Sequence, residues 1–139
     1  MMDRILKNPT KVFLIDAVGA FLTAITLGIV FTSVQEFIGM PKELLISLAI
    51  VASLFFIYSA SCFFKPQKNW RTFLGVIATA NLMYCLLTSF LIITYFDQLT
   101  IVGILYFVGE ITLIVLLVYF EVFIIRKEDQ HKKSQLENN

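Results

Sequence analysis

Four long apolar runs decide what this chain can fold into: residues 12–34, 44–64, 72–94 and 99–125. Each reaches the roughly 20 residues that a helix needs to cross a hydrocarbon core about 30 Å thick. The expected fold class is all-α, an integral membrane bundle of four antiparallel transmembrane helices. Their expected bounds are 10–34, 42–64, 70–94 and 98–125, with a cytoplasmic tail at 126–139. So much of the 139 residues lies in these runs that no room is left for a soluble domain, and residues 1–139 read as a single polytopic membrane domain. Composition agrees: 58% of residues are hydrophobic and 15% charged, against about 45–50% and about 25% in soluble domains.

The net charge of +1 is uninformative, but its distribution is not. Arg4, Lys7 and Lys11 precede the first run; Lys65, Lys68 and Arg71 lie between the second and third. Arg126, Lys127, Lys132 and Lys133 follow the fourth, and Lys42 alone falls in the other loops. Ten of the eleven basic residues therefore lie on one side of a four-span arrangement. The positive-inside rule places that side, with both termini, in the cytoplasm. The basic loops are explained by topology, so nucleic acid is not an expected partner. The first run is too long for a signal-peptide core and carries Asp16, so it reads as a retained signal-anchor helix.

Prolines mark the span boundaries. Asn8-Pro9 reads as a cap followed by proline in the first turn, and Pro41 opens the second helix with Glu43 in its first turn. Pro66 closes that helix; Asn69 and Asp97 are candidate caps for the third and fourth. Trp70 and Tyr95 fall at opposite interfaces of the third span, as aromatic anchors do. The fourth helix is expected to continue past the membrane, with Glu128–Lys132 and Asp129–Lys133 at the i,i+4 spacing of helical ion pairs. His131 in this polar stretch reads as solvated surface.

The candidate site consists of polar residues inside the spans: Glu110, Asn81, Asp16 and Glu121. An ionised carboxylate at mid-membrane costs about 2.5–3.5 kcal/mol on insertion scales. Glu110 must therefore be neutral, paired or turned from lipid. Glu121 lies eleven residues later, which returns to the same helix face about 16 Å further along. Asp16 lies roughly 7 Å inside the cytoplasmic boundary, with Gly19, Ala20 and Thr23 on its face. Asn81 sits near mid-depth with Ala78, Tyr84, Cys85 and Thr88 on or beside its face. An unpaired amide at that depth is costly, and a neutral Glu110 at the same level is its expected partner. Asp16 and Glu121 are likewise expected to be level, completing a polar track from mid-membrane to the cytoplasm. Ala20, Ala24 and Gly28 form a small-residue ridge suited to close helix approach.

Several chemistries find no support. Cys62 and Cys85 form no CxxC pair, and no intramembrane His or cluster with metal-ligand spacing occurs, so no cofactor or metal is expected. No phosphate-binding glycine loop or Ser/His/Asp arrangement is present. A conventional enzyme is not expected.

Three segments carry a resemblance: Ile15-Asp16-Ala17-Val18-Gly19-Ala20, Asn81-Leu82-Met83-Tyr84-Cys85-Leu86-Leu87-Thr88 and Tyr106-Phe107-Val108-Gly109-Glu110-Ile111. Over nearly its whole length the chain resembles a family of small four-helix membrane proteins of unknown function, found especially in Bacteroidota-type bacteria. The resemblance implies a bacterial cytoplasmic (inner) membrane and no particular substrate, cofactor or reaction. Small multidrug resistance transporters also have four helices with an acid in the first. Their Trp-Ser-Gly type segment in the third helix is missing here, and the strong charge bias favours one fixed orientation.

The leading expectation is thus a non-enzymatic structural or partner-binding membrane component, with the lipid bilayer and a homo-oligomer or partner membrane protein as its surroundings. The alternative is a proton-linked small-solute transporter with Glu110 as coupling acid. An intramembrane enzyme acting on lipid or quinone through Glu110 is a weaker third.

Overall fold

The computed structural model describes residues 8–65 and 68–137. Arg4, Lys7 and the helix-closing role read for Pro66 lie outside them. Helix α1 spans Thr10–Ile25 and runs on through a π-helical stretch, Thr26–Phe31; a short α2 follows at Gln35–Ile38. Three longer helices complete the chain: α3 (Lys42–Phe64), α4 (Trp70–Thr94) and α5 (Ile101–Glu137). Four of these segments are long and apolar enough to cross a membrane. The chain is an all-α bundle of four membrane-spanning helices.

The boundaries correct the sequence reading in several places. The first run does not stay α-helical to residue 34. It turns π-helical at Thr26, and within that stretch Gly28 faces α3, where a Cβ would stand 3.2 Å from Ala49 Cβ. Val34 then leaves helical geometry and α2 starts afresh. Helix α5 begins at residue 101, capped by Thr100 rather than Asp97: the Gly103 N–H donates to Thr100 Oγ1 at 3.2 Å. Asn8 and Asn69 contribute backbone carbonyls, not side-chain caps, accepting from Lys11 and Thr72 at 3.0 Å. Pro41 stands just before the first turn of α3.

Packing is uneven. Helix α1 with its π-helical stretch lies closely along α3, and α4 lies closely along α5; the two hairpins meet over far fewer contacts, and α1 barely approaches α5. Two apolar clusters hold the hairpins together at opposite ends. The one at the basic end joins Val12, Phe13, Cys62, Leu74, Ile77 and Ile124. The other gathers Leu27, Phe31, Leu45, Leu48, Tyr84, Leu91 and Phe107, among others. Polar residues occupy the layer between them.

At the α2 end the connections also dock backbone to backbone. Gly39 has φ +82°, and a Cβ there would fall 1.9 Å from the Gln98 carbonyl oxygen; a Cβ at Gly103 would fall 2.5 Å from the Ile38 carbonyl oxygen. Only glycine adopts that backbone without strain and leaves room for such an approach. Thr100 ties the joint by donating its N–H to the Ile38 carbonyl at 3.0 Å.

The outer surface is apolar, with Ile29, Leu54, Met83, Leu86 and Leu113 all exposed, as lipid-facing positions are. Hydroxyls along the spans, among them Ser47, Ser53, Thr79, Ser89 and Thr112, donate to carbonyls four residues back. Their polarity is satisfied within their own helix and contributes nothing to a site. Helix α5 runs unbroken for 37 residues, or about 55 Å at 1.5 Å per residue, well beyond a core about 30 Å thick. Its projecting part is steadied by Arg71, which pairs with Asp129 and reaches Glu128 at 4.0 Å. The expected Glu128–Lys132 and Asp129–Lys133 pairs do not form; the two acids turn toward α4 instead. Trp70 and Tyr95 stand at opposite ends of α4, as expected.

Candidate functional site: an acid-lined cavity between the hairpins

All four polar residues singled out from the sequence are buried: Asp16, Asn81, Glu110 and Glu121. They are not arranged as the depth argument suggested. Asn81 does not bond Glu110; its amide donates to Asp16 Oδ1 at 2.7 Å. Ser59 of α3, fully buried, donates to the other oxygen, Asp16 Oδ2. One carboxyl thus joins α1, α3 and α4. The correction has a plain cause. Level and face were read from the sequence, but which side chains meet depends on the rotation and spacing of helices. Asn81 turns across the interface between the hairpins to Asp16, while Tyr84, one turn on, meets Glu110 of its own hairpin.

Glu110 takes a different partner. Tyr84, one turn beyond Asn81 on α4, donates its hydroxyl to Glu110 Oε1 at 3.3 Å. Glu110 Oε2 is buried and has no hydrogen-bond partner among the described residues. The face read around Asn81 is otherwise correct: Ala78, Tyr84, Cys85 and Thr88 are buried with it. Glu110 and Glu121 are likewise buried on α5, with Gly103 of the same stripe; Phe107 is buried there too, while Tyr106 and Leu117 are half-buried. Glu121 is wholly buried, and neither of its oxygens has a partner among the described residues.

Between the hairpins lies a cavity of about 470 Å³, within the usual 300–1,000 Å³ range of small-molecule sites. Asp16, Asn81, Tyr84 and Glu110 supply polar groups to its wall, with Thr23 and Thr26 from α1. Ala52, Phe55, Leu105, Tyr106, Ile114 and Leu117 supply much of the rest. Gly19, Ala20 and Thr23, placed on the Asp16 face from the sequence, all line it. Glu121 does not; it lies one turn before Ile124 of the cluster at the basic end.

Sequence reasoning missed Ser59 and the roles of Tyr84 and Tyr106. Ser59 looks like any other serine in a span, although most of the others bond back to their own helix. Tyr84 was placed beside Asn81 but not assigned to Glu110. The cysteines are free and buried, and no group of His, Cys, Asp and Glu suited to a metal ion occurs among the described residues. Comparison with known proteins finds no matching family model, no similar curated protein and no similar solved structure.

Proposed function

We infer that this is a non-enzymatic, multi-pass protein of a bacterial cytoplasmic membrane that binds a small solute in the cavity and couples its passage to a proton at Glu110. One observation carries the reading: Glu110 lines the wall of an intramembrane cavity, and its Oε2 has no hydrogen-bond partner among the described residues. Asp16, by contrast, has both oxygens engaged by neighbouring helices. An intramembrane acid facing a cavity is the usual mark of a substrate or proton pathway. Asp16 and Glu121 extend the acidic series from the cavity toward the basic end.

In this reading the basic end faces the cytoplasm, with both termini there. Single cysteines at Lys68 and Gln98, labelled in intact cells with a membrane-impermeant maleimide, test it: only the Gln98 position should react, and the reverse pattern would invert the orientation. The transport reading is tested in proteoliposomes loaded with a pH-sensitive dye and challenged with a panel of membrane-soluble solutes. Solute-driven proton movement is expected in wild type and absent in Glu110→Gln. Equal movement in both would refute the role given to Glu110.

A partner-binding membrane component is the second reading, favoured by the long α5 projection that Arg71 steadies beyond the spans. The small-residue ridge speaks less for a partner, since Gly28 is met by Ala49 of the same chain. Co-purification in mild detergent tests it, and a strictly monomeric, partner-free protein counts against it.

A further inference from the structure

The cavity's wall specifies the kind of solute it takes. Two carboxyl groups, Asp16 and Glu110, face it, and no Lys, Arg or His lines it among the described residues. A carboxylate in a site of this polarity is tolerated opposite a cation, and no cationic side chain among the described residues lines it. An anionic ligand would meet two acids and no positive group.

Aromatic rings complete the pattern. Phe55, Tyr84 and Tyr106 line the same space as Glu110, with the Phe55 and Tyr84 rings edge to face at 6.0 Å between centroids. Ring faces attract cations, and aromatic cages are a recurrent solution for quaternary ammonium groups. The remaining wall is mostly aliphatic, suited to an apolar body.

The entrance is lateral. Leu105 and Leu113 of α5 and Leu22 of α1 line the cavity although they are 67%, 70% and 58% exposed on the outer surface. A Cβ added at Gly19 or Gly109 would meet nothing within 4 Å. The cavity therefore opens between α1 and α5, on the surface that faces lipid.

We propose that the cavity takes a lipophilic monovalent cation, an amine or quaternary ammonium on an apolar body, admitted from the bilayer through the gap between α1 and α5. The assignment rests on the small-solute reading given above, and it names the solute's class. Glu110 with Tyr84 and Tyr106 holds the charged head, while Leu105 and Leu113 flank the apolar body at the entrance.

The test uses the full chain in phosphatidylcholine nanodiscs and two probes of the same shape. One is phenethyltrimethylammonium; the other is its uncharged analogue with carbon in place of nitrogen. Binding is read by calorimetry for wild type, Glu110→Gln and Gly109→Leu. The last fills the mouth without meeting a neighbouring atom at its Cβ, and circular dichroism checks the fold of both variants. The cation should bind at least tenfold more tightly than its neutral analogue, lose that advantage in Glu110→Gln, and be excluded with the analogue by Gly109→Leu. Equal binding of both probes, unchanged in Glu110→Gln yet blocked by Gly109→Leu, would overturn the cation class and leave the solute site standing. Binding of neither probe, or binding indifferent to Gly109→Leu, would overturn the solute class and the site together.

Discussion

Replacing Glu121 by methionine should make the protein more stable. The carboxyl is wholly buried, and neither oxygen has a hydrogen-bond partner among the described residues. Leaving one buried polar group unsatisfied costs about 1–3 kcal/mol. Methionine matches glutamate in length and flexibility and carries no such group. One turn away Ile124 already packs with Val12, Phe13, Leu74 and Ile77, so the apolar replacement continues an apolar layer. A gain of about 1–3 kcal/mol is therefore expected from Glu121→Met. Glu121→Gln, which keeps buried polar atoms, should show little of it. Equilibrium unfolding in mixed micelles, driven by sodium dodecyl sulfate and followed by circular dichroism, reads the difference. Ile124→Ala, expected to lose about 2–5 kcal/mol, shows that the assay senses this layer. A loss of about 1 kcal/mol or more in Glu121→Met would refute the reasoning, because the carboxyl would then make a net favourable contact.

Other substitutions probe the joints between helices by the same unfolding assay. Gly39→Ala should destabilise by more than the roughly 1–3 kcal/mol of left-handed strain, because its Cβ also meets the Gln98 carbonyl; Gly19→Ala, with nothing within 4 Å, should be near neutral. Asn81→Leu leaves Asp16 with Ser59 alone and should lose about 0.6 kcal/mol, the average measured for hydrogen bonds between membrane helices, and no more than about 1.7. Arg71→Ala removes a partly exposed pair and should change stability by at most about 1 kcal/mol, less at high salt; a salt-independent loss would show that the pair is not the source.

Much of this arrangement is written in the sequence, but at different levels. The spans follow from run length alone. The faces follow from helical periodicity, which is why Asn81, Tyr84, Cys85 and Thr88 are buried together and Glu110 shares a side with Glu121. What one helix cannot specify is its neighbour. Axial level made Asn81 and Glu110 look like partners, but Asn81 reaches across to Asp16 of the other hairpin and Tyr84 meets Glu110. The same limit hid Arg71's choice of Glu128 and Asp129, which looked sufficient to pair along their own helix. Nor does the sequence show that Gly28, in the π-helical stretch, faces Ala49 of α3, a residue far away in sequence.

The sequential pairing of helices also orders the events of folding. Helix α1 finds its main companion in α3, the next span made, and α4 finds its own in α5. Each hairpin can close on contacts local to it, which is the quicker class of closure. Asp16 is the first of the buried acids to leave the ribosome. Ser59, 43 residues later, belongs to the same hairpin and is its earliest available donor. Asn81, 65 residues later, arrives with the second hairpin. Docking of the second hairpin therefore completes the Asp16 cluster, and the arrival of α5 with Glu110 finishes the cavity wall. The site needs both hairpins, so a nascent chain stalled after α3 holds its first acid half satisfied.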